Sequence, residues 1–587
     1  MTGLELILVA LILLLALLRP TLGANLFASA EKSFSAFAQR RTASVILCAG
    51  LAIAARAAAL PIIPATNPSV HDDFSFLLAS DTFAHGRLAN PPHPMWKHFE
   101  TFHVIWHPTY ASMYQPAQGM VLAVGQLLTG RAFWGVCLGL ALMCGAICWM
   151  LQGWLSPNWA LLGGILLAMR LSMFTYWSNS YYGGQVAAFG GALVLGALPR
   201  MKKANSARQA AAMGILMGLG LGILANSRPY EGLILSLPIA VALLFWMFSR
   251  GPAEQRASQS AQPRTTPRAQ IVPAISALAI TLILCGAFTS YYFWRVTGSP
   301  FRFPYQVNRQ TYAIAPYFLW QSLRHAPNYD HQVMENFYVN VEIPMFRETQ
   351  SLPRLIGNEA GRVEEFWFFF LGPLLTIPLL LGIAGIPYGL RWRDIDPNTR
   401  FLLSVFGISV AGLAIDVYFA PHYVAPMLGV VIALFLLAFS RARYWTLRGK
   451  PVGLILTRTC ILASLLMPLS RFALSALHLP EPVDRPQTCC SSTPGNWYRA
   501  GIETKLESLG GKHLVMVRYT PAHNPVNEWV YNRANIDASS VVWARDMGAK
   551  DNEELLDYYP DRLVWLVQPD ANPPSLGPYV PEENVYH

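Results

Sequence analysis

Apolar runs long enough to cross a bilayer follow one another from Leu6 to about Phe472, separated by short polar or basic linkers. A helix needs roughly 17 to 25 mainly apolar residues to cross a hydrocarbon core. On that measure the pattern predicts spans at about 4–18, 43–63, 116–130, 132–151, 209–225, 232–249, 271–291, 366–386, 401–418, 423–440 and 454–472, with 159–198 crossing in pieces. The first run has no basic residue before it and no small-residue cleavage site after it, so it is expected to stay as an anchor. Beyond Phe472 the pattern changes. A Pro-rich linker from Leu479 to Pro494 leads into short strand-like runs at Leu514–Tyr519, Val541–Ala544 and Leu563–Val567, around a helical pattern at Asn552–Tyr559. The expected fold is an all-α polytopic membrane domain of about 12–13 helices over 1–472, with a small α/β domain over 473–587.

Composition agrees. Of 587 residues, 53% are hydrophobic and only 13% charged, against about 25% charged in soluble domains; a soluble enzyme is excluded. The net charge of +10 is not a nucleic-acid footprint, because its basic residues collect in a few linkers. The linkers 19–42, 199–208, 250–269, 391–400 and 441–450 hold 19 Lys and Arg against 4 acids, the bias that marks a cytoplasmic side. The linkers 64–115, 226–231 and 292–365 and the tail are then outside. The Ala/Ser/Gln/Pro-rich stretch 251–269 looks like a flexible inner linker. Cys48, Cys137, Cys144, Cys148, Cys285 and Cys460 lie in apolar segments and are expected to pack as small hydrophobes. The neighbours Cys489 and Cys490 leave a vicinal disulfide open.

One stretch resists this topology. Full spans at both 159–175 and 184–198 would put the basic linker after Arg200 outside. Short or broken helices meeting near Trp177–Gly184 restore the parity. Irregular backbone at membrane depth must be buried in protein or line a cavity, so Trp177-Ser178-Asn179-Ser180-Tyr181-Tyr182-Gly183-Gly184 is expected to face a cavity.

The loop 64–115 carries most of the polar chemistry. It holds six of the thirteen histidines and three aspartates. Within it, His71-Asp72-Asp73-Phe74-Ser75-Phe76 through Phe83 shows helical spacing and predicts an amphipathic helix along the interface. Asp72 and Asp73 would open that helix, where carboxylates suit the dipole; plain helix capping would also place them there.

In this setting the chain resembles the GT-C superfamily of polyprenyl-phosphate-sugar glycosyltransferases, near protein O-mannosyltransferases and lipid A aminoarabinose transferases. The resemblance rests on Asp72-Asp73 followed by Phe76 and Ala79, on Tyr114-Gln115-Pro116-Ala117 entering a helix, and on Phe419-Ala420-Pro421-His422-Tyr423-Val424-Ala425-Pro426 late in the chain. It implies transfer of a sugar from a polyprenyl-phosphate donor to a protein, lipid or glycan acceptor on the outer face. By the resemblance Asp72 is the general base, and Asp73 positions acceptor or base or holds a metal. Gln115 stands where the aminoarabinose transferases carry a phosphate-binding lysine, so another cation must serve.

Arg228, in Asn226-Ser227-Arg228-Pro229-Tyr230-Glu231-Gly232, is the candidate cation, with Tyr230 and Glu231 beside it and Lys97, Arg87 and Arg302 as alternatives. His71, Asp81, His93, His422 and Tyr423 complete the expected substrate-binding set. His93, His98, His103 and His107 could suggest zinc, since His103 and His107 are four apart, but Pro94 and Pro108 interrupt the region and no Cys joins it, so no metal or other cofactor is expected. The aromatic-rich loop 292–365 is expected to lid the site and to order on donor binding. His523 in the tail is expected at the surface. The expected location is a bacterial inner membrane with loop and tail on the periplasmic side. The rival function, a transporter or flippase of lipid-linked saccharides, predicts mid-membrane ionisable groups and related halves; no internal repeat is visible.

Overall fold

The computed structural model describes residues 2–248, 267–384, 395–479, 488, 490 and 495–587. Of the expected flexible stretch 251–269 the part up to 266 lies outside these residues, with a helix beginning at Pro267, and of the Cys489–Cys490 pair Cys489 lies outside them.

Six of the described helices are long and apolar enough to cross a membrane: Arg41–Ala59, Phe133–Trp154, Ala207–Ala225, Pro229–Phe248, Gln270–Thr297 and Pro421–Ala442. Two bent pairs bring the number to eight: Leu352–Phe370 with Gly372–Ala384, and Val452–Leu466 with Leu469–Ala476. The shorter Thr2–Leu18, Pro157–Leu171, Gln185–Lys202 and Pro397–Leu413 complete the bundle.

Two expected spans are corrected. The expected span 116–130 does not cross. Ala117 N–H donates to the Asn226 carbonyl at 2.9 Å and Gln126 donates to Asp81 at 2.9 Å, so both ends of the helix Pro116–Thr129 lie on the loop side. It packs under the loop, and Gly125 and Gly135 allow the next helix to start against it, since a Cβ on either would overlap backbone. This removes one crossing, and the parity conflict after Arg200 disappears without broken helices. The expected span 366–386 is two helices at 100°, turning at Gly372 with φ +64°, so Leu352–Phe370 runs across the bundle with Leu352, Ile356 and Val363 exposed.

The expected inner linker 19–42 contains a helix, Ala24–Ala38, whose Glu31 pairs with Arg443 at 3.0 Å and Arg458 at 2.8 Å. Two linkers assigned to one side thus meet. Residues 172–184 are irregular between Pro157–Leu171 and Gln185–Lys202. Trp177–Gly184 does not line the main cavity as expected; it is packed in protein and its backbone groups serve the loop, as shown below.

The C-terminal unit has four strands in the order Val541–Arg545, His513–Val517, Leu563–Gln568, Ser575–Pro578. The first three are parallel, with His513 opposite Val541 and Leu563, and the last is antiparallel. The Trp497–Leu509 and Ser575–Pro578 elements were not in the expected pattern, and the expected boundary at 472/473 falls inside Leu469–Ala476. The sheet unit packs on the loop: Phe74 stacks on Tyr531 at 4.1 Å, and Arg499 lies over both Phe74 and Trp543. The helix His71–Ala84 is consequently not an interfacial amphipathic helix. One face meets the C-terminal unit and the other meets Pro116–Thr129, where Gly119 faces Ala79 and Phe83.

Candidate functional site

A cavity of about 580 Å³ opens beside the start of His71–Ala84. Its walls come from the loop 64–115, the turn 226–231, the segment 303–324 and the turn 416–423, and seven expected residues meet there: Asp72, Gln115, Arg228, Tyr230, Glu231, His422 and Tyr423.

Asp72 is held by two neighbours. His103 Nδ1 donates to Oδ1 at 2.7 Å, and the Tyr114 hydroxyl donates to the same oxygen. Among the described residues no donor bonds Oδ2, and the side chain lines the cavity and is 27% exposed. Burial works to raise the carboxyl, but the bonds and charge from His103, with Tyr114, more than offset it and hold Asp72 well below the usual carboxylate range. His103 reaches this position with φ +59°, costly for a residue with a Cβ and tolerated where surrounding contacts impose it. Ser75 and Met113 supply those contacts by donating to its carbonyl at 2.7 and 3.1 Å.

Asp73 does not line the cavity, so of its expected roles a direct contact with the acceptor there does not fit. Oδ1 accepts the Tyr181 N–H at 2.8 Å and Oδ2 the Ser69 N–H at 3.1 Å. Successive helix residues point about 100° apart, so only one of the pair can look into the cavity. Burial pushes the Asp73 carboxyl up to about 7, against the backbone bonds that lower it. Its effect is to tie the helix start to the irregular stretch after Pro157–Leu171.

Arg228 lies over the Tyr423 ring at 4.6 Å and 3.7 Å from Glu231. That separation is longer than a hydrogen bond, so the guanidinium keeps donors for another partner. Two further arginines reach the cavity and were not foreseen. Arg309 is neutralised by Glu342 at 2.5 Å. Arg324 has its guanidinium on the carbonyls of Arg309 and Gln310 at 2.7 and 3.0 Å. The only sequence signal for them was the aromatic density of their loop. That loop packs against the late turn: Val417 N–H donates to the Tyr317 carbonyl at 2.7 Å, and Arg362 holds the carbonyls of Asp416 and Val417. Asp416 at the cavity edge is pushed up to about 7, chiefly by burial.

The remaining expected residues lie elsewhere. His71 is buried behind the helix, stacked on Phe102 at 4.2 Å and donating to the Pro525 carbonyl at 2.7 Å; burial lowers it to about 3, so it is neutral. Asp81 joins Gln126 to the Ala534 N–H. His93 pairs with Asp537 at 3.1 Å and Lys97 with Asp330 at 3.7 Å. Arg302 does not line the cavity but bonds Gln310, which does, at 2.6 Å, and Arg87 does not line it. The histidines diverge: His98 meets the Asp551 carbonyl and His107 packs edge-on to Trp96. Among the described residues no three His, Cys, Asp or Glu side chains gather as metal ligands. The tail's His523 is not a surface residue but buried, at 2.6 Å from Asp570.

No family model and no curated protein matches the chain. Solved structures of similar arrangement include the Archaeoglobus fulgidus oligosaccharyltransferase in complex with zinc and sulfate, at 11% identity and a TM-score of 0.45, with 89% of this chain and 67% of that one covered. The archaeal oligosaccharyltransferase AglB from the same organism, in complex with an inhibitory peptide and a dolichol-phosphate, aligns at 12% identity and a TM-score of 0.42 over 90% of this chain and 69% of that one. ArnT from Cupriavidus metallidurans bound to undecaprenyl phosphate aligns at 13% identity and a TM-score of 0.42, over 89% of this chain and 92% of its own. The chain spans about two thirds of the length of the first of these.

Proposed function

We propose that this chain is an integral-membrane glycosyltransferase that moves a sugar from a polyprenyl-phosphate carrier to an acceptor hydroxyl on the outer face of the membrane, with inversion and with Asp72 as general base. The observation that carries this reading is the pairing, in one cavity, of an ionised carboxylate with a free oxygen and an arginine with spare donors.

In the proposed reaction the acceptor oxygen attacks the anomeric carbon as its proton passes to Asp72 Oδ2. The bond from that carbon to the phosphate oxygen breaks, and the leaving phosphate takes the electron pair. Negative charge then grows on the phosphate, and Arg228 meets it with two N–H groups, a geometry a guanidinium suits better than an ammonium. His103 and Tyr114 keep Oδ1 occupied, so the proton goes to Oδ2. Gln115 donates to or accepts from the sugar or phosphate, replacing charge with a neutral amide. Tyr230, His422 and Tyr423 form the wall behind Arg228. No cofactor enters the proposal, since base and cation both come from the chain.

Transfer rather than transport is supported by the origin of these groups: Asp72, Gln115, Arg228 and Asp416 all come from linkers on one side of the bundle. The basic linkers support the opposite side as cytoplasmic, which puts the cavity and C-terminal unit outside, on the periplasmic side of an inner membrane in a bacterium. The test is turnover by purified protein of synthetic polyprenyl-phosphate sugars, read as free polyprenyl phosphate released in the presence of candidate acceptors. Release that needs both Asp72 and an acceptor supports the reading; a panel of donors that gives none rejects it.

A further inference from the structure

A second cavity, of about 310 Å³, lies between the C-terminal unit and the turn that precedes the His71–Ala84 helix. Its wall includes Ser69, whose backbone N–H holds Asp73, so one short turn separates it from the site of Asp72. Its floor is fixed by His523, 4% exposed. The ring lies 3.9 Å from that of Tyr519, and its Nδ1 is 2.6 Å from Asp570 Oδ1. Asp570 Oδ2 in turn accepts from the Thr520 N–H and hydroxyl. The carboxylate is thus satisfied from within the protein.

The chemistry that remains is neutral and amide-rich. Asn496 and Asn524 use their carbonyl oxygens to cap Arg499 and Val526, which turns the NH2 groups away from those bonds and leaves them to donate. Asn527 lines the same wall and is exposed. Tyr498 stands at the edge, 56% exposed. Among the described lining residues there is no lysine or arginine, so a phosphate or carboxylate would be desolvated without a counter-charge. Several amide donors and acceptors around one exposed aromatic ring suit a ligand with many hydroxyls on one side and a C–H face on the other.

We propose that this cavity is a non-catalytic carbohydrate-binding site for a neutral saccharide. It is separate from the Asp72 cavity and stands whether or not the proposed transferase activity does.

The test is saturation-transfer difference NMR on the full-length chain in detergent micelles. The neutral probes are methyl α-D-mannopyranoside, methyl β-D-galactopyranoside and methyl β-D-glucopyranoside, and methyl β-D-glucuronide is the anionic one. Saturation is expected to reach at least one neutral glycoside, with a Kd that rises about tenfold in the Tyr498→Ala/Asn527→Ala double variant, the equivalent of one or two lost neutral contacts. It is expected to persist in Arg228→Ala. Both substituted side chains are exposed, so the melting temperature should not move, and the single variants are read separately to confirm it. No transfer to any neutral glycoside, transfer undiminished in the double variant, or a preference for the glucuronide would each overturn the proposal. Transfer lost in Arg228→Ala instead would place the sugar in the Asp72 cavity and overturn it equally.

Discussion

His103 Nδ1 sits 2.7 Å from Asp72 Oδ1 although 31 residues of loop separate them. That donor is the main influence lowering the carboxyl against burial, and the Tyr114 hydroxyl adds to it. His103→Ala should therefore move the acid limb of kcat/KM to higher pH, and Tyr114→Phe should move it the same way by less. Profiles that coincide with the parent's would show that Asp72 is not the group titrating.

Asp72 and Asp73 should separate cleanly. Asp72→Asn removes the base and is expected to cost about 10²- to 10⁴-fold in turnover with donor binding nearly intact. Asp73→Asn leaves one backbone N–H without its acceptor, a loss of about 1–3 kcal/mol of stability, and should cost far less activity. Comparable losses of turnover in the two variants would refute the division of roles.

Asp73 also predicts a pH dependence of stability. A carboxyl raised to about 7 in the folded chain binds its proton more tightly folded than unfolded. Its contribution is complete below about pH 4, and it is lost as pH rises through about 7. Thermal unfolding across that window should show a falling melting temperature in the parent and a flatter profile in Asp73→Asn.

Arg228→Ala should weaken binding of a polyprenyl phosphate and slow turnover together, with Arg228→Lys recovering part, because an ammonium offers a point charge where a guanidinium offers a fork. Titration with farnesyl phosphate measures the first effect. Unchanged affinity would move the role to Arg324.

Helix packing around the late turn can be tested at glycines. A Cβ at Gly191 would overlap the Pro426 carbonyl, whereas one at Gly50 meets nothing within 4 Å. Gly191→Ala should destabilise by about 1–3 kcal/mol through overpacking. Gly50→Ala should be neutral or stabilising by up to about 1 kcal/mol. Equal melting temperatures would contradict the close approach.

Much of this arrangement could be read from residue types. An apolar chain makes each polar cluster conspicuous, so Asp72, Arg228 and His422 stood out, and the spans near 43–63 and 209–225 followed from length and apolarity. Burial in protein and burial in lipid select the same side chains, however, so Pro116–Thr129 reads as a crossing from its apolarity although its bonds to Asp81 and Asn226 hold it on the loop side. The pairing of Asp72 with His103 depends on a single left-handed residue, and no local pattern marks it. Arg309 sits on the short helix Pro304–Tyr312 and Arg324 on the irregular stretch after it, and what aims both at the cavity is the path of the long connection, which no local pattern marks.

The bonds that finish the base-bearing helix come from the far end of the chain: Pro525 takes the His71 proton donor and Ala534 gives its N–H to Asp81. During synthesis the bundle and its loop emerge hundreds of residues before these partners exist. The helix that carries Asp72 lacks these two bonds until residues 525–534 have been made. The frame of this helix thus depends on residues made more than 450 positions later, and a chain cut short before residue 525 would hold every residue of the cavity and still lack these bonds.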